Sequence, residues 1–297
     1  MKKYYYCLYG QLTESEIELP EALEIPFTEE TSVLITLGLP PSWVLDSCKK
    51  KEYDYLSEDI MWFYLPGLVL YYVEKGKQIT VWKESNKLSD LFLRSYLLGS
   101  AFSLLLMQKN ILPIHGSALA YGDFAYLISG ASGSGKSTTT LELMEQGFDF
   151  VSDDICPLDL SNSQISLYPG PPWQKVCRDV MERSEHTYYY IDENRDKFAR
   201  KLSSGYRVNP LRPKAMFILT PCQTNFASIE ELQGINKLHA LTHNLYRGEK
   251  YHRFGISPKR MQLFLDAAKH LNIYILKRPY GVNSVKQLAT IIKQHLN

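Results

Sequence analysis

The chain has little of what usually marks a specialised surface or compartment: no excess charge of either sign, no cysteine framework, and no apolar run long enough for a bilayer. Its 33 basic residues stand against 32 acidic ones, for a net charge of +1, which leaves no electrostatic footprint for nucleic acid or a membrane surface. The five cysteines, Cys7, Cys48, Cys156, Cys177 and Cys222, are odd in number and widely spaced. That excludes a zinc or disulfide scaffold and fits a reducing cytoplasm. The longest apolar stretch, "YLLGSAFSLLLM", has about 12 residues against the roughly 18 that span a bilayer. "MKKYYYCLYG" turns to polar aromatics after its basic start, which is wrong for a signal peptide. No internal repeat or low-complexity tract appears. A cytoplasmic protein without nucleic-acid or membrane partners is expected, and 297 residues suffice for one large domain or two.

Three regions differ in pattern. Residues 1–86 are rich in Tyr, Val, Ile and Trp and are broken by Gly, Pro and Lys-Gly turns, predicting a domain of short antiparallel strands with a hairpin around "EKGK". Residues 87–110, "LSDLFLRSYLLGSAFSLLLMQKN" with its flanks, have Ser89-Asp90 as a start signal and apolar residues nearly all round, predicting a buried connecting helix. Arg94, its polar exception, is expected in a salt bridge at the edge of the core. Residues 111–297 alternate strands with helices, from "LPIHGSALAY" and "FAYLISG" through "FDFVSDDICPLDL", "SQISLYP", "AMFILT" and "NIYILKRP". They end in an amphipathic helix carrying Val285, Leu288, Ile291, Ile292 and Leu296.

The centre of that third region reads "SGASGSGKSTTT", with Gly130, Gly135, Lys136 and Ser137 in the spacing G-x-x-x-x-G-K-S. Such a loop wraps backbone N–H groups around nucleotide phosphates. Gly130, Gly133 and Gly135 supply conformations and close approach that a side chain would block. "FAYLIS" before it reads as a buried strand, and "KSTTTLELMEQG" after it as a helix stopped at Gly147. Strand, loop and helix thus follow in the order a phosphate site requires.

Two further features bear on chemistry. Asp153-Asp154 in "FVSDDI" is expected at the carboxyl end of the strand after that helix, the end where ligands of open α/β sheets collect. One carboxylate there suits a magnesium ion beside the Ser137 hydroxyl; the other suits an alcohol nucleophile that must lose a proton. A turn or helix cap is the plainer reading of the pair. His115 in "PIHGSAL" lies on a preceding strand, where its imidazole would meet a carboxylate or a phosphate oxygen, or merely be a satisfied core residue.

The stretch "HGSALAYGDFAYLISGASGSGKSTTTLELMEQGFDFVSDD" resembles the core of the HPr kinase/phosphorylase family, whose fold is similar to the nucleotide domain of phosphoenolpyruvate carboxykinase. The resemblance implies an α/β P-loop core of that type, preceded here by a strand-rich N-terminal domain. More loosely, "YYYCLYGQLTESEIELPEA", "LRSYLLGSAFSLLLMQKNILPIHGSAL" and "YILKRPYGVNSVKQLATII" resemble HPr-kinase-like proteins of ribosomal peptide clusters. Those associated with lasso peptides phosphorylate the C-terminal serine of the precursor. Position by position, the resemblance assigns ATP phosphates to the loop, including Gly130, Ser132, Gly133, Ser134, Gly135, Lys136, Ser137 and Thr138, with Lys136 on the β/γ-phosphates. It puts Mg2+ on Ser137 and Asp154. It gives the incoming hydroxyl to His115 and one of the two aspartates, adjacency leaving open which. HPr kinases assemble through this domain, so a homo-oligomer is implied. One departure counts: the glycine-rich signature that follows the Asp-Asp strand in true HPr kinases is replaced by "LYPGPPWQKVCRDV", which argues against HPr as substrate and against phosphorolysis.

Residues 168–212 are therefore where substrate and nucleotide base would be gripped. Trp173 and Lys175 in "YPGPPWQK" suit a flexible peptide tail, and equally a surface loop. Arg195, Lys197, Arg200 and Lys201 offer cations for transferred phosphoryl charge, with Lys197 and Arg200 the foremost candidates, or else line a solvated helix. Arg212 and Arg278 border strands near the same face and rank below them. The expected activity is phosphoryl transfer from ATP to the C-terminal serine of a precursor peptide. The alternatives are a kinase for another protein or small-molecule hydroxyl, and a nucleotide-binding sensor or escort without catalysis. A transporter or helicase ATPase is excluded by the absence of an LSGGQ segment and by an acidic strand so close to the loop.

Overall fold

A computed structural model describes residues 2–160, 164–182, 187–192 and 197–296. The chain divides into two compact units, Met1–Ile111 with Glu249–Gly255, and Leu112–Gly248 with Ile256–Asn297. The segment 87–110, expected as a separate connector, thus counts within the first unit.

The first unit is one seven-stranded sheet in the order β1-β2-β3-β7-β6-β5-β4. Its strands are β1 (Tyr4–Leu8), β2 (Gln11–Ser15), β3 (Val33–Leu37), β4 (Asp54–Leu56), β5 (Ile60–Leu65), β6 (Val69–Glu74) and β7 (Gln78–Lys83). The β6–β7 hairpin turns at Glu74–Gln78, as the Lys-Gly signal predicts. The sheet is not all antiparallel, however: β3 runs parallel to both β2 and β7. Trp62, Leu70 and Tyr72 pack with Val44 of α1 (Ser42–Lys49), while Tyr71 donates its hydroxyl to the Leu93 carbonyl at 2.7 Å. Both faces are therefore covered, which is why Met61–Phe63 and Val69–Val73 are buried consecutively and show no alternation.

Helix α2 (Asp90–Tyr96) starts where predicted, with Ser89 accepting from the Phe92 N–H, and continues through a π-helical turn, Leu97–Ala101, into α3 (Phe102–Gln108). Arg94 meets Glu21 at 2.9 Å, as the sequence suggests. By length and composition Asp90–Gln108 is one helix that qualifies to cross a membrane, more than its 12-residue apolar core implies; 67% of its most apolar window is buried inside the protein, as in a core helix.

The second unit holds a mixed sheet ordered β11-β10-β8-β9-β15-β17-β16. It comprises β8 (Leu112–Tyr121), β9 (Phe124–Gly130), β10 (Asp149–Asp159), β11 (Ser166–Leu167), β15 (Arg212–Cys222), β16 (Ser228–Glu231) and β17 (Asn272–Pro279). Strands β9, β15 and β17 are mutually parallel, and β8 lies antiparallel between β9 and β10. A separate three-stranded sheet, β12 (Trp173–Cys177), β14 (Lys197–Lys201) and β13 (Tyr189–Asp192), packs Val176 and Phe198 against Leu141, with α5 (Arg178–Met181) after β12. Helices α4 (Lys136–Glu145) and α9 (Val285–Gln294) cover one face, burying Leu143, Leu288 and Ile292 against Ile128, Phe217 and Leu219. Each such side chain contributes about 1.5–3 kcal/mol. Helices α6 (Ile235–His243), α7 (Gly248–Phe254) and α8 (Pro258–His270) complete the chain. Most of α7 belongs to the first unit, where Lys250 and Arg253 hold the Asp54 carboxylate at 2.6 and 2.8 Å.

Candidate functional site

Strand β9 ends at Gly130, and the chain then turns through the glycine loop into α4. Gly130 has φ 136°, and a Cβ there would lie 2.5 Å from the Leu219 carbonyl oxygen, so β15 passes too close for any other residue. Gly135 caps α4 in the left-handed region, φ 100°, with the Arg278 guanidinium 2.7 Å from where a Cβ would stand. Arg278 itself, at the end of β17, donates Nη1 to the Ser134 carbonyl at 2.9 Å. The loop thus rests on the carboxyl ends of β15 and β17. Lys136 curls back, donating Nζ to the carbonyls of Gly130 and Ala131 at 2.8 and 3.0 Å. Ser134 is buried and its hydroxyl has no partner. A buried orphan hydroxyl inside a ring of glycines, at the amino end of a helix, fits an anionic group such as a nucleotide phosphate. Ser132 and Gly133 are exposed on the rim, and Thr138 follows Ser137 in the first turn of α4.

The aspartate pair lies within β10 and not at its end, since the strand runs on to Asp159. It still reaches the loop: Asp153 pairs with Ser117 of β8, and Ser117 with Ile128, two residues before β9 stops. Gly116 makes this possible, because a Cβ there would sit 2.5 Å from the Ile128 carbonyl oxygen. Ser117 donates its hydroxyl to Asp153 Oδ1 at 2.7 Å, and the Lys175 backbone N–H donates to Oδ2 at 2.8 Å. Burial, together with the charge of Asp154, holds the Asp153 carboxyl above the usual carboxylate range against the pull of Ser117 and Lys175. Asp154 adopts φ 65°, in the left-handed region, and its Oδ2 meets the Lys175 ammonium at 2.7 Å, with about a third of its side chain exposed.

His115 does not reach either carboxylate. Its Nδ1 lies 3.1 Å from the Asp154 backbone carbonyl. A carbonyl only accepts, so Nδ1 carries the proton and, in the neutral ring, Nε2 keeps its lone pair. The backbone is held on both sides: the His115 N–H donates to the Asn244 carbonyl at 2.7 Å, and Ser129 donates to the His115 carbonyl at 2.6 Å.

Lys175 is the junction of the site. Its N–H holds Asp153, its ammonium meets Asp154, and its carbonyl lies 3.4 Å from Ser137 Oγ on α4. Loop, helix start and both acids therefore form one connected network, with His115 attached through the Asp154 main chain. No group of three or more His, Cys, Asp or Glu side chains suited to a metal occurs among the described residues. A divalent ion carried by phosphates needs fewer, because one or two carboxylates and a hydroxyl suffice.

No protein-family model matches this chain, and no curated protein matches it. The solved structure of the Hpr(Ser) kinase/phosphatase from Coxiella burnetii is similar over 61% of this chain and 88% of that one, at 15% identity and a TM-score of 0.32. That is a distant likeness, in fold alone.

The cationic candidates separate sharply. Arg200 is buried on β14 and donates Nε to Gln174 Oε1 at 2.9 Å; no described contact joins it to the loop. Its stretch is a strand and not the solvated helix that its charges suggest. The side chain of Lys197, and the whole of Arg195, lie outside the described residues. Arg212 pairs with Phe124 at the start of β9, whereas Gly130 is at the end. At about 3.3 Å per residue, six residues put Arg212 roughly 20 Å from the loop. Arg278, ranked low on sequence, is the arginine that touches it. Ser117 was missed, although it stands two residues from His115 on one strand and so shares its face.

Proposed function

We propose that the second unit binds ATP at the Gly130–Thr138 loop and transfers its terminal phosphoryl group to a hydroxyl, that of the C-terminal serine of a lasso-type precursor peptide. The observation that carries this reading is the acid pair wired to the loop through Lys175. A protein that only holds nucleotide has no need of two carboxylates and an oriented imidazole beside the phosphates.

In this reading Lys136 leaves its two carbonyl partners for the β/γ-phosphates, and the Ser134 hydroxyl gains an acceptor. Ser137 and Asp154 would hold Mg2+, which when bound would neutralise phosphate charge. Asp153, whose carboxyl already favours its proton more than an ordinary aspartate, accepts the serine proton as the serine oxygen forms a bond to phosphorus and the bond to the leaving diphosphate breaks. His115, with Nε2 as acceptor, orients that hydroxyl. Trp173, on the same face of β12 as Lys175 and 5.4 Å from the Tyr189 ring, offers an aromatic wall for the peptide.

The test is incubation of the full chain with Mg-ATP and a serine-ended peptide, read by mass spectrometry. A gain of about 80 Da on the serine supports the reading. Nucleotide binding without transfer to that peptide, or to peptides with internal serines, would leave a sensor or escort.

A further inference from the structure

A polyanion is poorly received beside two adjacent carboxylates, one of them buried. Yet the loop and the acid pair share Lys175, and the charge balance of the site turns on that residue. Its ammonium lies 2.7 Å from Asp154 Oδ2, an ion pair with only 26% and 32% of the two side chains exposed.

We propose that Lys175 serves as a counter-cation at Asp154, occupying the carboxylate edge that a divalent ion would use and yielding it when metal and nucleotide arrive together. This rests on the nucleotide-binding reading and adds a positioning role that no motif in the sequence assigns. Before either arrives, the ammonium masks Asp154, so the site that receives the phosphates repels them less. With Asp154 engaged by a divalent ion, the ammonium would give up its contact with that carboxylate. The contacts that hold the backbone are unaffected by the side chain, because Asp153 and Ser137 meet the main-chain N–H and carbonyl of Lys175. A substitution therefore leaves those two backbone contacts in place.

The experiment measures ADP affinity by calorimetry, with chelator and with Mg2+, for the full-length chain and for Lys175→Met and Lys175→Arg. Charged hydrogen bonds, discounted for partial exposure, put the expected loss for Lys175→Met without metal at about tenfold. With Mg2+ the loss is much smaller, since the metal supplies the missing charge, and Lys175→Arg returns the ratio of the two affinities toward that of the parent. Mn2+ alone, followed by electron paramagnetic resonance, binds Lys175→Met more tightly than the parent, because no ammonium has to be displaced. Equal losses with and without metal, no loss at all, or weaker Mn2+ binding would overturn the proposal while leaving nucleotide binding intact. A parent chain that binds no ADP under either condition overturns the nucleotide reading and this one with it. Circular dichroism of each variant confirms that affinities are compared between folded proteins.

Discussion

Gly130→Ala is the sharpest test of how the loop is built. The new Cβ would meet the Leu219 carbonyl oxygen at 2.5 Å and Ser134 Oγ at 2.8 Å, in a backbone conformation, φ 136°, that side chains avoid. The serine can rotate, but the carbonyl belongs to a central strand paired on both sides and cannot. Overpacking of this kind costs about 1–3 kcal/mol and the dihedral about as much again, for a total of about 2–6 kcal/mol. Gly133→Ala is the control: its φ is 78°, but nothing lies within 4 Å of a Cβ there, so only the backbone cost of about 1–2 kcal/mol applies. At about 2–4 °C per kcal/mol for a unit of this size, the melting temperature should fall by roughly 10 °C for Gly130→Ala and by less than half of that for Gly133→Ala. Gly135→Ala should fall between them, since its neighbour is the movable end of Arg278. Thermal unfolding followed by circular dichroism gives the comparison. If all three variants lose the same amount, the close approach of β15 is not what demands glycine at Gly130, and the account of the loop is wrong.

Other outcomes follow from the site. Lys136→Ala should abolish transfer from radiolabelled ATP, a loss of at least about a hundredfold, with an unchanged circular dichroism spectrum; undiminished transfer would contradict the phosphate role. Because burial and Asp154 raise the Asp153 carboxyl, its proton is held to higher pH. As pH rises through that value the base form appears, so the acid limb of kcat/KM should lie above the ordinary aspartate range, and Asp153→Asn should remove the limb along with most of the rate. Arg278→Met removes the hydrogen bond to the Ser134 carbonyl and should weaken ADP binding several-fold with little effect on folding, measurable by calorimetry. Arg94→Met strands the Glu21 carboxylate, only 8% exposed, and should destabilise the first unit by about 3 kcal/mol in urea unfolding.

Local signals in the sequence carried well. The loop, its flanking strand and helix, the β6–β7 hairpin, the Ser89 cap and the amphipathic last helix are each fixed by neighbours a few residues away. What the sequence did not disclose depends on pairing between distant segments. The parallel placement of β3 in the first sheet has no local mark. The insertion of β8 between β9 and β10 puts Asp153 level with Ile128 although its own strand continues to Asp159, so the acids approach the loop without standing at a strand end as expected. The three-stranded sheet was hidden because "DKFARK" looks like a charged surface, whereas pairing turns Phe198 and Arg200 inward against Val176 and Gln174. Lys175 looked like a surface cation for the same reason: its ion pair joins residues 21 positions apart.

The left-handed backbone of Asp154, φ 65°, carries an evolutionary consequence. An L-residue in that conformation costs about 1 kcal/mol relative to glycine, and aspartate is among the few that tolerate it at all. Strand β10 would thus run more comfortably with glycine at this position. In a copy no longer held to the proposed function, drift toward glycine at that residue would relax the strand backbone at the loss of the ion pair with Lys175.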